Sequence, residues 1–206
     1  MKRIVIILTL FIPVALLANA NKKQSFTSEK LSLISTSTET DRTAEYKKMT
    51  TSVEVQNLFT THGTNFNGIG VVESYMLSPR FALGLGAEYS WCDYHFDNGW
   101  NLTNLKFLPV YIDSKVNLTS GKKLTPFLRL STGVSFANYN QQYALLGPIT
   151  HISEQGFYLY SGAGISLKIS KWLSTYVDLG FKGYHMSLNG LDINPHGINL
   201  RIGATF

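Results

Sequence analysis

The sequence predicts an all-β fold, an eight-stranded antiparallel up-and-down β-barrel whose strands cross a membrane. From residue 49 onward, apolar and polar residues alternate with a period of two in eight segments, as in strands whose two faces meet different surroundings. Short and long connections alternate between these segments, and the last segment ends in phenylalanine. Only 15% of the residues are charged and 44% are apolar, which excludes a disordered or coiled-coil chain.

Residues 1–20 have the pattern of an export signal. Lys2 and Arg3 precede an apolar run at residues 4–17, and Ala-Asn-Ala at 18–20 is a typical cleavage site. The alternative, a membrane-anchoring helix, needs roughly 20 apolar residues, and this run is shorter. We therefore predict a signal peptide whose removal lowers the formal net charge from +5 to +3. So small a charge gives no reason to expect a nucleic-acid partner.

Residues 21–48 differ in composition from the rest of the chain. They are rich in Ser, Thr, Lys and Glu and show no sustained apolar alternation. We predict a polar leader. The functional alternative is a segment that binds a partner or plugs a barrel lumen. Residues 49–206 then form the barrel domain.

The predicted strands approach the roughly 9 to 11 residues that cross a bilayer at a tilt. The third is the clearest, because Phe81, Leu83 and Leu85 alternate with small residues. Pro109, in the fourth, cannot donate to a ladder, so we predict a bulge near it. In chain order the strands are predicted at residues 50–61, 68–76, 81–94, 104–118, 124–138, 156–169, 173–185 and 197–206.

Each strand except the second carries a regular apolar row on one face. In the second, Val71 and Val72 blur the period. The apolar rows of the other seven are, in order, Val53, Val55 and Phe59; Phe81, Leu83, Leu85, Ala87, Tyr89 and Trp91; Val110, Ile112, Val116 and Leu118; Leu128, Leu130, Val134 and Phe136; Phe157, Leu159, Ala163, Ile165 and Leu167; Val177, Leu179 and Phe181; Ile198, Leu200, Ile202, Ala204 and Phe206.

The connections indicate which end of the barrel faces which compartment. Three are short and four are mostly long and polar, and membrane barrels turn their short connections to the periplasm and their long loops outward. The short connections are residues 77–80, 119–123 and 170–172, and the long ones are 63–67, 95–103, 139–155 and 186–196. This places both ends of the barrel domain, and the leader, on the periplasmic side.

The surroundings of the apolar face separate a membrane barrel from a soluble one. A soluble sandwich or lipocalin-like barrel would turn its charged residues outward. Here the polar face carries Gly, Ser and Tyr with isolated charges, and the apolar face includes the aromatic residues Phe81, Trp91, Trp172 and Phe206. This pattern favours lipid outside and a small polar interior.

The last ten residues, Gly-Ile-Asn-Leu-Arg-Ile-Gly-Ala-Thr-Phe at 197–206, resemble the terminal strand of bacterial outer-membrane proteins. The architecture as a whole resembles the OmpX-like proteins and the OmpA membrane domain. The resemblance implies a location in the cell outer membrane, outer-membrane lipid around the barrel, and the barrel assembly machinery as a partner. Phe206 would be the assembly signal.

The inward faces of the predicted strands carry charges of both signs. Buried charges must be paired, so we predict a network of salt bridges that fills the lumen, with an ion-conducting path as the alternative. Closure of the barrel pairs the last strand with the first and the seventh, which brings Arg201 near the level of Glu54 or Asp178. The predicted network comprises Glu54, Glu88, Asp113, Lys115, Arg129, Lys168, Asp178, Lys182 and Arg201.

Residues 185–199 partly resemble the terminal motif of outer-membrane lipid A deacylases. His185, Ser187, Gly190, Gly197 and Asn199 fall at matching offsets. The resemblance implies an esterase in which Ser187 is the nucleophile and His185 the general base, with Asn199 in the place of an acidic orienting residue. Leu188 replaces the Asn that follows the Ser in that family.

The remaining features indicate a protein without catalysis. Cys92 is the sole cysteine, and no Cys/His cluster is present, so we expect neither a metal nor a cofactor. Loops 139–155 and 186–196 are candidates for binding an extracellular ligand. The predicted role is that of an envelope, surface-interaction or narrow-pore protein, and the esterase is the competing class.

Overall fold

The alternating segments form nine strands among the residues described by this computed structural model, which are 49–61, 63–97, 100–143, 147–188 and 191–206. Residues 96, 97, 100, 187, 188 and 191–193 are described by their backbone alone. The predicted signal peptide and leader lie outside the described residues. The strands are β1 (Met49–Thr60), β2 (Asn65–Met76), β3 (Phe81–Asp97), β4 (Trp100–Asn117), β5 (Leu124–Tyr143), β6 (Ile149–Lys168), β7 (Ser174–Leu188), β8 (Leu191–Ile193) and β9 (His196–Thr205).

Eight of these strands close into one antiparallel barrel. Consecutive strands pair from β1 to β7, and β9 pairs with both β7 and β1. The three-residue β8 pairs only with the last three residues of β7. Closure pairs the strands on both sides within the barrel, whereas residues 92–97 of β3 and 149–156 of β6 extend beyond it and pair on one side only. The predicted eight-stranded antiparallel fold is confirmed. None of the described residues belongs to a helix long and apolar enough to span a membrane.

The two faces of the barrel differ as the alternation predicts. Leu85 on the outward face is 67% exposed, whereas Tyr111, an inward neighbour on the next strand, is 2% exposed. The outward side chains from Phe81 to Trp91 and their counterparts on the other strands form an apolar band around the barrel. Inward glycines leave room for aromatic rings: Tyr111 lies over Gly86, and Tyr176 lies over Gly203.

The turns and hairpins give the two ends of the barrel different shapes. Residues 77–80, 118–123 and 169–173 connect strands at one end, which we call the short-turn end. The backbone of Phe206 pairs with that of Thr51 near this end, through an N–H to O bond of 2.8 Å. The opposite end, with the long β3–β4 and β5–β6 hairpins, is the hairpin end.

The predicted loops 95–103, 139–155 and 186–196 are corrected by the structure, since most of their described residues belong to strands. The β5–β6 ladder continues to the pair of Gln142 and Ile149. In these extensions the alternation inverts: the outward face carries the exposed polar residues His151 and Ser153, while Tyr139 is buried inside. The apolar alternation in the sequence therefore stops at the edge of the apolar band, and strand ends predicted from it fall short of the true ends.

The bulge predicted near Pro109 lies five residues earlier. The register of β4 against β5 shifts between Thr103 and Lys106, and Asn104 has a φ of 54°. Asparagine tolerates this left-handed conformation better than most residues. Pro109 itself pairs in register with Ser135 and faces the lumen. On its other side the β3–β4 ladder is interrupted without a register shift, which accommodates the missing N–H.

Candidate functional site

The centre of the lumen is a network of buried charged side chains. The strand alternation turns them inward, and none of them is more than 5% exposed. We call this set the lumen network: Glu54, Glu88, Asp113, Asp178, Arg129, Lys182 and Arg201. Buried ions of both signs are stable only when they are paired and hydrogen-bonded.

Glu54 on β1 is the acceptor shared by the two arginines. Its Oε2 lies 2.7 Å from Nη1 of Arg129, and its Oε1 lies 3.3 Å from Nη1 of Arg201. The hydroxyl of Tyr176 donates to Oε2 at 2.6 Å, and that of Tyr111 donates to Oε1 at 3.4 Å. Both carboxylate oxygens are therefore occupied by donors from four other strands.

Arg129 on β5 joins three carboxylates. Besides Glu54, its Nε lies 2.7 Å from Asp113 and its Nη1 lies 3.4 Å from Asp178. Ser131 donates to the same oxygen of Asp113 at 2.6 Å. Since Arg129 retains two other carboxylates, it depends less on Glu54 than Arg201 does.

Lys182 and Glu88 form a second centre nearer the hairpin end. Nζ of Lys182 donates to Glu88 and, at 3.1 Å, to Oε1 of Gln56. Glu88 also accepts a hydrogen bond from Tyr184 at 3.0 Å and one from Ser90. Lys182 is the one cation in ion-pair contact with Glu88 among the described residues.

Arg201 links the two centres. Its guanidinium carbon lies 3.6 Å from the ring centre of Tyr160, and its Nη2 donates to the hydroxyl of Tyr158 at 2.9 Å. Arg201 pairs with Asp178 in the β7–β9 ladder and contacts Glu54 on β1, its neighbouring strand on the other side. The structure thus places Arg201 at the level that closure of the barrel predicts.

Two of the nine residues predicted for the network lie outside it. Lys115 is partly buried toward the short-turn end, where its Nζ lies 4.0 Å from the ring centre of Phe127. Lys168 is exposed, because it is the last residue of β6 and lies at the mouth of the barrel. Neither forms an ion pair with another described residue.

The sequence pattern places tyrosines on the polar face, but the predicted network did not include them. They supply most of the neutral donors to the buried carboxylates, and the signal for them was their position on inward faces rich in glycine. The lumen tyrosines with hydrogen bonds to the network are Tyr111, Tyr158, Tyr160, Tyr176 and Tyr184.

Apolar side chains close the lumen toward the hairpin end. Each is at most 2% exposed, and the rings of Phe66 and Phe107 meet edge to face with centres 5.4 Å apart. We call this group the outer seal: Leu58, Phe66, Leu102, Leu105, Phe107 and Met186. Tight packing of this kind excludes water, so the described side chains leave the lumen closed at this level.

Two of the proposed esterase residues, His185 and Asn199, lie on opposite faces of the barrel wall. His185 is exposed on the outward face, with Nδ1 3.0 Å from Oδ1 of Asn194. Asn199 is fully buried in the lumen, so the barrel wall lies between it and His185. The side chain of Ser187 lies outside the described residues.

Comparisons with known proteins give a likeness of fold. No protein-family model and no curated protein matches the sequence. A major outer membrane protein from Thermus thermophilus is similar in structure, with a TM-score of 0.51 and 15% identity over 77% of this chain and 98% of that one. At this identity the likeness concerns the fold and not the activity. The deacylase resemblance receives no support.

Two further solved structures are similar at lower TM-scores. Neisserial surface protein A has a TM-score of 0.48 and 11% identity, covering 76% of this chain and 94% of its own. The N-terminal β-barrel domain of Pseudomonas aeruginosa OprF has a TM-score of 0.43 and 17% identity, covering 76% of this chain and 97% of its own. The fold, a closed antiparallel barrel of eight strands, is shown by the strand pairing and by the likeness to the Thermus outer membrane protein.

Proposed function

We propose that this protein is an outer-membrane barrel with a closed lumen, and that it acts through the surface of its hairpin end. The observation that carries the proposal is the filled interior, where the lumen network and the outer seal occupy successive levels of the barrel. A barrel of eight strands is just wide enough for its own side chains. A closed barrel serves as a membrane anchor for what it displays.

The placement in the membrane follows from the outward face. The apolar band supports contact with lipid, and the short-turn end would face the periplasm. An exported chain of this kind needs the barrel assembly machinery, and we assign Phe206 as its recognition signal. The predicted signal peptide would bring the chain to the periplasm.

The β5–β6 hairpin offers a preorganised surface for an extracellular ligand. Beyond the apolar band its outward side chains include the polar residues Asn140 and His151 besides the exposed Ile149. The side-chain atoms Oδ1 of Asn140 and Nδ1 of His151 lie 3.1 Å apart. On its inner side Tyr139 donates to Glu154 at 3.0 Å. Burial raises the pKa of the Glu154 carboxyl. Binding by residues 139–155, with 186–196 beside them, is the surface-interaction role that we propose.

A closed lumen predicts the absence of ion current. Purified, folded protein inserted into a planar lipid bilayer should give a current equal to that of the protein-free bilayer, because the outer seal excludes water. Folding is verified by the shift in electrophoretic mobility on heating. Reproducible current steps from the folded protein would contradict the closed lumen and favour the narrow-pore role.

Display at the cell surface predicts the reactivity of introduced cysteines. In a Cys92→Ser background, Asn140→Cys should react on intact cells with a maleimide that does not cross membranes. Ser120→Cys, in an exposed turn of the short-turn end, is the matched control and should react only after the outer membrane is permeabilised. The reverse result would contradict the proposed orientation. Equal reactivity at both sites in intact cells would contradict membrane insertion.

A further inference from the structure

The lumen opens at the short-turn end into a cavity of about 310 Å³, which we call the vestibule. It lies between the lumen network and the three short turns. Hydroxyl groups line much of its wall: Thr50, Ser52, Ser74, Thr119, Thr125 and Ser166. A cavity of this volume with convergent polar groups can hold a small solute.

Basic side chains surround the vestibule. Lys115, Lys122, Lys168 and Lys171 line it together with Arg129. Asp113 is the one carboxylate side chain among its described lining residues, and it is already paired with Arg129 at 2.7 Å. The vestibule therefore carries an excess of positive charge.

The position of Lys115 distinguishes it from a solvated surface lysine. Its Nζ lies over two aromatic rings, 4.0 Å from the centre of Phe127 and 4.9 Å from that of Tyr176. Such contacts replace part of the hydration of an ammonium group. No carboxylate of the described residues is within ion-pair distance of it.

The charge balance of the lumen leaves the rim uncompensated. The lumen network has four carboxylates and three cations, so Lys115 balances the charge of this network at longer range. The positive charges of Lys122, Lys168 and Lys171 are not balanced by this count. All three are exposed around the mouth, and none has a carboxylate partner among the described residues.

We propose that the vestibule binds a water-soluble small molecule through a phosphate group. Ammonium and hydroxyl groups are donors that match phosphate oxygens, and lysine binds phosphate as a compact charge. The barrel wall lies between the vestibule and the surrounding bilayer, which favours a soluble ligand over the headgroup of a phospholipid. This site lies at the end opposite the surface proposed for extracellular binding, so the two proposals stand or fall separately.

The test titrates inorganic phosphate into folded full-length protein in an uncharged glucoside detergent free of phosphate. Binding is measured as the heat released or absorbed on mixing, or as changes in amide chemical shifts. We expect saturable binding that weakens about tenfold in the double variant Lys168→Gln/Lys171→Gln, as for lost hydrogen bonds to a charged group. Lys115→Gln should weaken it similarly. Lys106→Gln, an exposed lysine toward the hairpin end of β4, is the control and should bind phosphate as the wild type does.

Several outcomes would overturn the proposal. One is a folded wild type that binds no phosphate, and another is a double variant that binds as well as the wild type. The rim lysines are exposed, so this variant remains informative even where Lys115→Gln fails to fold. A third is a response of vestibule residues to phosphatidylglycerol in nanodiscs but not to phosphate, which would assign the site to lipid headgroups.

Discussion

Replacing Glu54 with glutamine is expected to lower the free energy of unfolding by about 3 to 5 kcal/mol, the cost of breaking a buried ion pair by removing one partner. Glu54 is 1% exposed and is the sole carboxylate in ion-pair contact with Arg201 among the described residues. Glutamine keeps the size of the side chain but leaves the fully buried guanidinium of Arg201 without an opposite charge. The measurement is urea unfolding of the folded barrel, followed by tryptophan fluorescence and by the electrophoretic shift.

Glu73→Gln is the matched control for this variant. Glu73 lies on β2 with its side chain on the exposed outward face, where it accepts a hydrogen bond from Thr51 at 2.6 Å. Removing this charge from the apolar band should not destabilise the barrel, since charges there are unfavourable. An equal loss of stability in both variants would show that Glu54 matters as a carboxylate on a strand and not as the partner of Arg201.

The sequence predicts the barrel because the period of two can be recognised within each segment by itself. A strand between lipid and lumen must alternate, and the apolar rows identify seven of the eight long strands directly. The blurred second strand has a local cause: Val71 is 49% exposed on the outward face, whereas Val72 is 1% exposed and lines the vestibule. An apolar inward residue cannot be told from an outward one by composition.

The contacts of the lumen network were harder to predict than its membership. Alternation tells which side chains point inward, and the closing strand places Arg201 beside Glu54 and Asp178. The distance of 2.7 Å between Arg129 and Glu54 joins β5 to β1 across the lumen. Such contacts depend on tilt and stagger around the whole barrel, which no local pattern contains. Lys168 has inward parity but lies at a strand end, where parity no longer implies burial.

Replacing Lys182 with methionine is the second change with a large expected effect, a loss of about 3 to 5 kcal/mol in the free energy of unfolding. Methionine can fill much of the space of the lysine stem, but it leaves the carboxylate of Glu88, 1% exposed, without a cation in contact. The hydrogen bonds from Tyr184 and Ser90 remain. The same urea unfolding assay measures the loss.

The decisive comparison adds Glu88→Gln to Lys182→Met. The double variant removes both charges, so it should be more stable than Lys182→Met alone, because replacing a buried pair costs less than breaking it. The sum of the two single losses should therefore exceed the loss of the double variant by at least about 3 kcal/mol, the upper end of the coupling between residues in direct contact. Lys182→Met combined with Glu73→Gln is the control and should be additive, since Glu73 faces outward. Additive losses for the Lys182 and Glu88 pair would contradict the ion pair as the reason why these two charges are tolerated inside the barrel.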